Sequence, residues 1–363
     1  MFPKFEQTKY IKSAIQKAEY LKALVSFVEP ILPNLPELRQ AALISRTKAT
    51  LKQEGINCDY NAIKKVIEGA DEYDKALAPW VTSLQKANNY IEKRLDGVEI
   101  MHLKKCHEIL LRDTLNEKYG GILRSTADTN ASGNYELPEN EQLNDLTVFL
   151  LKYLNSKRAI HPLLKSWSIY LLFDIVQPFM SFNQSLSLLV SNKLIGAEGF
   201  DFKGLYVWEK QMLHDWNTHQ SIKLNSLFPV NSKERLEADV TAFFENCAGL
   251  CIDTLTDLED LLLDELKLAV GYGDMNPHKK NSFNYLFNHG FKLHYGAIDT
   301  LNDRQRSILR DVTLNRDVTT KKMVMEYRCD RKTIQRDFAD MMDMGIIAQE
   351  GKTKTIIYHL SFN

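Results

Sequence analysis

Apolar residues recur three and four positions apart from Lys9 to Leu266. The period is clear in AIQKAEYLKALVSFVEPIL, IMHLKKCHEILLRDTL and DVTAFFENCAGLCIDTLTDLEDLLLDEL. This spacing places the apolar side chains on one face of an α-helix. No run with the alternating pattern of a β-strand competes with it, so the sequence predicts a predominantly α-helical body.

One interruption, residues 120–142, reads GGILRSTADTNASGNYELPENEQ and has no helical period. Gly, Asn, Ser and Thr favour turns and left-handed backbone conformations. We expect a loop or a short hairpin that lies across the helical body, because predicted helices precede and follow it.

The segment HPLLKSWSIYLLFDIVQPF is apolar on nearly every side, which is typical of a helix buried in the middle of a bundle. Pro162 suits its first turn, and Pro178 ends it. Asn183 is the expected N-cap of a second helix, QSLSLLVSNKLI, which Gly196 can close. The pattern predicts two buried helices joined by the tight loop VQPFMSFN.

The pattern changes from Leu301 onward. DRQRSILRDV, TKKMVMEY and RKTIQRDFADMMDM have helical period, with Thr319 or Thr320 and then Asp330 as the expected N-caps of the second and third helices. IIAQE and TIIYHLS are rich in β-branched residues around a Gly-Lys-Thr-Lys turn, which predicts a hairpin. Three helices and a hairpin therefore form the expected C-terminal module.

A length of 363 residues predicts two or three domains. We expect an N-terminal helical region at 1–100, a core at 101–270, a connector at 271–300 and the C-terminal module at 301–363. A formal net charge of −1 argues against a chain-wide basic surface, although a small basic module can lie within such an average.

The chain shows no targeting or metal-binding pattern. The first residues contain no continuous apolar stretch of the signal-peptide type, and the most apolar helix is too short to cross a bilayer. Five scattered cysteines form neither a disulfide framework nor a zinc set. We expect a soluble, cytoplasmic protein with no membrane partner and no metal site.

The buried helix, the loop with Pro178 and Phe179, and the second helix opening at Asn183 resemble the active site of the Fic (fido) family. The motif of that family reads His-Pro-Phe-x-Asp/Glu-Gly-Asn-Gly-Arg-x-x-Arg. The resemblance extends in the right order over residues 10–265. It implies a mainly α fold, a Fic-type helical bundle with a short β-hairpin flap, together with a small α/β winged-helix domain.

Of the further segments that carry the resemblance, two contain candidate site residues. GGILR, with Gly121 and Arg124, is similar to the start of the flap that holds the target in this family. TLKQEG, with Thr50, Glu54 and Gly55, is similar to the inhibitory motif of its N-terminal helix.

Carried over position by position, the Fic motif is degenerate in this sequence. The His that acts as general base is Gln177, whose amide cannot take a proton, and the acidic metal ligand is Ser181. The glycines and arginines that bind phosphate are replaced by Phe182, Gln184, Ser185 and Leu188. The positions that match are Pro178, Phe179 and Asn183, each of which has a structural role without any chemistry.

Other candidate groups do not restore the site. The inhibitory Glu of the family pairs with the second motif Arg, which is Leu188 here, so we expect Glu54 to be solvated or to cap a helix. His161 starts the buried helix too far back to replace Gln177. His107 lies in an apolar helix, where we expect a satisfied core residue.

The C-terminal module resembles the winged helix-turn-helix of bacterial regulators, which implies that its third helix enters the DNA major groove by its N-terminal part. Residues 301–363 contain twelve Lys and Arg and nine Asp and Glu, a modest net charge of +3. A module used only for protein contacts is the alternative. The expected DNA-binding residues are Arg331, Lys332, Thr333 and Gln335 for bases, and Arg328, Arg336, Lys352 and Lys354 for the backbone.

The leading hypothesis is a catalytically degenerate Fic-fold protein that acts as a DNA-binding regulatory factor, as a homodimer that matches a two-part site. One alternative is a protein adenylyltransferase that moves AMP from ATP to a protein hydroxyl at a non-standard site. The other is a scaffold whose Fic cleft holds a protein partner. No cofactor is expected, and ATP and Mg²⁺ enter only under the transferase alternative.

Overall fold

The structure is a computed structural model in which most of the chain is described. The described residues are 3–94, 97–124, 140–157, 160–227, 232–274, 277–285, 287, 296–298, 300–315, 318–351 and 356–361. These residues are mainly helical, as the periodicity predicted, and the chain ends in a two-stranded antiparallel hairpin. Residues 125–139, where the flap hairpin is expected, lie outside the described residues.

Helices account for most of the first 285 residues. They are α1 (Lys9–Val28), α2 (Leu35–Gln53), α3 (Tyr60–Glu68), α4 (Ala78–Glu92), α5 (Ile100–Leu111), α6 (Asn140–Leu154), α7 (Pro162–Val176), α8 (Asn183–Ala197), α9 (Trp208–His214), α10 (Trp216–Leu227), α11 (Ser232–Arg235), α12 (Thr241–Ala269) and α13 (Pro277–Tyr285). No helix among the described ranges has both the length and the apolar character needed to cross a membrane.

The centre of the fold is the pair α7 and α8. Pro162 occupies the first turn of α7, and the His161 ring accepts the Leu163 N–H. Every α7 residue from Ser166 to Val176 is buried, which agrees with a segment that is apolar on nearly every side. Helix α8 packs along α7, and α4, α5 and α6 cover the pair.

The chain divides into two compact units, and each contains two separate stretches of sequence. The first unit comprises Met1–Ala18 and Pro36–Leu258. The second comprises Glu19–Leu35 and Glu259–Asn363. Helices α1 and α12 therefore begin in the first unit and end in the second.

The last part of the second unit contains α14 (Asp303–Asn315), α15 (Thr320–Tyr327), α16 (Arg331–Asp343), β1 (Ile347–Glu350) and β2 (Ile357–Leu360). Thr319 caps α15 and Asp330 caps α16, both by accepting an N–H of the first turn. In the hairpin Ile347 lies opposite Leu360. These elements follow the predicted order of three helices and a hairpin.

The hairpin is joined to the helices by an aromatic contact. The Phe338 ring of α16 stacks on Tyr358 of β2 with ring centroids 3.6 Å apart, and both side chains are buried. Val318, just before α15, forms an antiparallel bridge with Tyr358. Stacking and burial at this point hold the small sheet against α16.

Candidate functional site

The loop between α7 and α8 spans residues 177–182 and is bounded by two residues in the left-handed region. Gln177 ends α7 with φ of 39°, and Phe182 precedes α8 with φ of 56°. A non-glycine residue held in this region costs on the order of 1 kcal/mol, which surrounding contacts must offset. At Phe182 one such contact is a stack on Trp80, with ring centroids 5.3 Å apart.

Asn183 has a different role from the predicted one. Helix α8 begins at Asn183, and Phe182 occupies the N-cap position. The Asn183 amide bonds to the loop: Nδ2 donates to the Phe179 carbonyl at 2.7 Å, and Oδ1 accepts the Phe179 N–H at 3.0 Å. The prediction of an Asn183 cap is therefore wrong, because its amide satisfies both backbone groups of buried Phe179 instead.

The segment that precedes the expected flap runs beside the loop. The Arg124 N–H donates to the Pro178 carbonyl at 2.9 Å, and Arg124 Nε donates to the Gln177 carbonyl at 3.2 Å. Leu123 forms an antiparallel bridge with Phe179. Arg124 therefore lies at this loop. Gly121, the other candidate flap residue, belongs to the same segment.

Gly121 is required by its position. Its φ is +72°, and a Cβ atom there would lie 3.0 Å from the Lys104 carbonyl oxygen of α5. Only glycine combines this backbone conformation with so close an approach to a helix.

His107 of α5 fixes the loop through both ring nitrogens. Nδ1 accepts the Gly121 N–H at 3.0 Å, so the neutral ring carries its proton on Nε2 and donates it to the Ser181 carbonyl at 2.9 Å. The ring also stacks on Phe179, with centroids 4.2 Å apart. Burial lowers the pKa of His107 to about 4, so the ring is neutral at pH 7. His107 is a satisfied core residue, as expected.

Glu54 lies just after α2 and contacts the first turn of α8. Its Oε1 accepts the Ser185 N–H at 2.9 Å and the Ser185 hydroxyl at 2.8 Å. The first N–H groups of a helix have no partner within the helix, and negative charge is favourable there. Of the two roles expected for Glu54, the structure shows the helix cap, and the capped helix is α8.

The environment of the Glu54 carboxylate opposes its charge. Burial raises the pKa of Glu54, the two hydrogen bonds from Ser185 lower it, and the negative charge of Asp174 raises it again, so the net direction is upward. Thr50 is buried one turn earlier on α2, and Gly55 has φ of +80°. The three residues of the inhibitory-motif-like segment therefore lie at the end of α2, where Glu54 contacts α8.

A buried ion pair close to the loop was missed by the sequence analysis. Asp174 of α7 pairs with Lys223 of α10, and both side chains are almost fully buried. The Lys223 ammonium also lies 5.2 Å from the centre of the Tyr170 ring. A charged residue inside an otherwise apolar helix indicates that a partner must exist. Nothing in the local sequence identifies that partner as Lys223.

The second unit presents a basic surface on α16. Four polar residues in its first half are exposed: Arg331, Lys332, Gln335 and Arg336. On the other side of the helix, Ile334, Phe338 and Met341 are buried. The apolar face fixes α16 to its unit and leaves the basic face accessible to solvent.

The remaining candidates for DNA contact differ in their surroundings. Arg328 is exposed and left-handed, with φ of 48°, in the turn between α15 and α16. The Thr333 hydroxyl donates to Asp330 at 2.7 Å and so takes part in the cap of α16. Lys352 and Lys354 lie outside the described residues. Among the residues that are described, no group of three or more His, Cys, Asp or Glu side chains could hold a metal ion.

Solved structures with a similar fold include two Fic proteins. A Fic family protein from Desulfovibrio desulfuricans G20 matches with a TM-score of 0.58 and 15% identity, over 100% of this chain and 99% of that chain. A Fic domain containing signaling protein from Bacteroides thetaiotaomicron VPI-5482 matches with a TM-score of 0.52 and 14% identity, over 72% of this chain and 98% of that chain. No protein-family model and no curated protein matches. The chain has a Fic-like fold, and at these identities the likeness shows the fold alone.

Proposed function

We propose that this Fic-like protein is catalytically degenerate and acts as a DNA-binding regulatory factor through its C-terminal module. The observation that carries the proposal is the exposed basic half of α16, opposite an apolar face that is fully buried. In the major groove an arginine side chain donates two hydrogen bonds to guanine, and a glutamine side chain offers one donor and one acceptor to adenine.

The local geometry supports a winged helix-turn-helix. Helices α15 and α16 pack together, and Arg328 turns the chain between them. The hairpin follows α16 and packs on it through Phe338 and Tyr358. In this arrangement the second helix of the pair is the recognition helix, and its N-terminal residues contact bases. Arg331 and Arg336 are thus the residues proposed to contribute most to DNA affinity.

The loop between α7 and α8 does not fit ATP or Mg²⁺. The carboxylate of Glu54 bonds to the first turn of α8, where a phosphate would require free N–H groups. Phe182 and Leu188 are buried apolar residues where the family motif has a glycine and an arginine. Ser181 offers a neutral hydroxyl in place of a carboxylate, which is a weak ligand for Mg²⁺.

No group at the loop supplies the missing base. Gln177 has an amide that cannot accept the proton of a target hydroxyl. His107 is neutral at pH 7, but both of its ring nitrogens already bond to backbone groups. These contacts support a loop retained for its shape, with AMP transfer as the disfavoured alternative.

The test of DNA binding is selection of genomic fragments from the source organism by the purified full chain at two salt concentrations. We expect a defined site to be enriched by the wild type and lost by the Arg331→Ala/Arg336→Ala variant. The matched control, Lys64→Ala/Lys105→Ala, removes the same charge from α3 and α5 and is expected to keep the site. Phosphate contacts make the affinity fall as salt rises.

Two results would contradict the proposal. The first is enrichment of no sequence above a salt-sensitive background, which would favour a scaffold that binds a protein partner. The second is labelling of a protein target by the wild type with ATP and Mg²⁺, which would establish the adenylyltransferase. The size of the selected complex, measured by sedimentation, tests the homodimer, which stays a prediction.

A further inference from the structure

The first unit contains an open cleft of about 680 Å³ between α2 and α9. Its polar lining comes from α2, α9 and the first residue of α3, and includes Lys48, Lys52, Tyr60, Lys210, Gln211 and His214. The remaining lining consists of serine, alanine and leucine, so no carboxylate lines the cleft. Volumes of this size accommodate small organic ligands.

The polar residues of the cleft converge because of helical spacing. Lys48 and Lys52 are four residues apart on α2, and Lys210 and His214 are four residues apart on α9, so each pair shares a face of its helix. Lys52, Lys210 and His214 are exposed, and Lys48 is half-buried. The like charges of Lys48 and Lys52 repel each other, and the third ammonium group in the cleft, that of Lys210, adds to that repulsion.

The three ammonium groups lie outside the ion pairs formed by the described residues. Across the described part of the chain, Lys48, Lys52 and Lys210 make no side-chain hydrogen bond or ion pair. Carboxylates among the described residues adjoin the lining without forming an ion pair with these lysines, and Asp59 and Asp257 each accept hydrogen bonds from neutral groups. Asp59 accepts the N–H groups of the first turn of α3, and Asp257 accepts Gln211 Nε2 at 2.8 Å. The cleft thus holds unpaired donors of a single sign.

We propose that this cleft binds a small molecule that carries two or more phosphate groups. Lysine binds phosphate as a compact point charge with three donors, and three lysines from two helices can contact several phosphate oxygens at once. The limited volume fits a compact polyanion better than an extended acidic peptide. The assignment does not depend on DNA binding, because it involves no residue of the C-terminal module.

The experiment is titration calorimetry of the full chain with inorganic triphosphate and, separately, with ATP, without added metal. We expect the Lys48→Ala/Lys52→Ala/Lys210→Ala variant to bind at least tenfold more weakly than the wild type. The control variant Lys64→Ala/Lys86→Ala/Lys105→Ala loses the same charge from three helices outside the cleft and is expected to bind like the wild type. Added NaCl is expected to weaken binding, since the groups are exposed.

The two ligands distinguish the source of the phosphate. Tighter binding of ATP than of triphosphate would indicate a nucleotide, and equal binding would indicate recognition of phosphate alone. Either result supports the proposal if the cleft variant loses the binding. The single variant Lys210→Glu, at an exposed position, gives the same test should the triple variant unfold, and a ligand-dependent rise in melting temperature serves as a second readout.

Three results would overturn the assignment. These are undetectable binding by the wild type, equal binding by the cleft variant and the wild type, and a decrease of the same size in the control variant. Tighter binding of a poly-glutamate peptide than of triphosphate would also overturn it, because the cleft would then select a protein partner.

Discussion

Glu54 and Ser185 form a residue-scale contact whose energy can be measured. In a Glu54→Ala variant the Ser185 N–H and hydroxyl lose their shared acceptor. Leaving such groups unsatisfied costs about 1–3 kcal/mol, so we expect the free energy of unfolding to fall by that amount in urea at pH 7. Glu54→Gln keeps an acceptor oxygen and is expected to lose less.

The same contact predicts a pH effect. Burial places the pKa of Glu54 in the folded protein above its unfolded value. The folded state therefore binds the proton more tightly, and this contribution to stability is present at low pH and is lost as pH rises through the raised pKa. We expect Glu54→Gln to gain stability relative to the wild type as pH increases. A constant difference across the pH range would contradict the buried carboxylate.

His107 predicts the opposite dependence. Its pKa falls from 6.5 to about 4 on burial. As pH decreases, the His107 ring therefore takes up its proton in the unfolded chain at a higher pH than in the folded protein. The resulting stability is present above pH 6.5 and is lost toward pH 4, a change of roughly 3 kcal/mol. We expect His107→Gln, which cannot titrate, to be less stable at pH 7 and to show a shallower loss on acidification.

The measurement for His107 is urea unfolding at pH values between 4 and 7. His219 is also buried with a pKa lowered to about 4, so the wild type contains both contributions. The difference between the wild type and His107→Gln isolates one of them. Parallel stability curves for the two proteins would contradict a neutral, buried His107.

At the scale of elements, the stack between α16 and β2 provides a variant that distinguishes a loss of stability from a loss of DNA binding. Phe338 is fully buried, and replacing it with alanine removes an aromatic core residue at a cost of about 3–5 kcal/mol. We expect Phe338→Ala to lose DNA binding together with the fold of the second unit, seen as faster amide exchange in α14 to α16. The Arg331→Ala/Arg336→Ala variant is expected to lose binding with exchange unchanged.

Local patterns predicted the elements better than the site. The caps Thr319 and Asp330 act within three residues, so the sequence alone locates the starts of α15 and α16. The contact between Glu54 and Ser185 spans 131 positions and depends on how α2 packs against α8. Asn183 shows that a local pattern can also fail within one turn. A side-chain amide at the start of a helix can bond to that helix or to the preceding loop, and the sequence does not distinguish the two.

At the scale of the whole molecule, the second unit depends on sequence from both ends of the chain. Residues 19–35 belong to it together with residues 259–363. Tyr20 donates to Glu259 at 2.8 Å, and Asn34 donates to Glu265 at 2.9 Å. A boundary at residue 301, as the sequence patterns predicted, concerns only the last part of this unit and stays a prediction.

Phe27 tests this dependence, since its side chain is buried in the second unit and its ring lies 6.3 Å from that of Phe287. Its carbonyl also accepts from Arg310 of α14 at 3.3 Å. Phe27→Ala is expected to cost about 3–5 kcal/mol and to speed amide exchange in α14, although the two segments are far apart in sequence. The control is Phe243→Ala, a fully buried position in the first unit, which is expected to affect exchange in α7. Unchanged protection of α14 in the Phe27 variant would mean that the C-terminal module folds without α1, and would favour a boundary near residue 301.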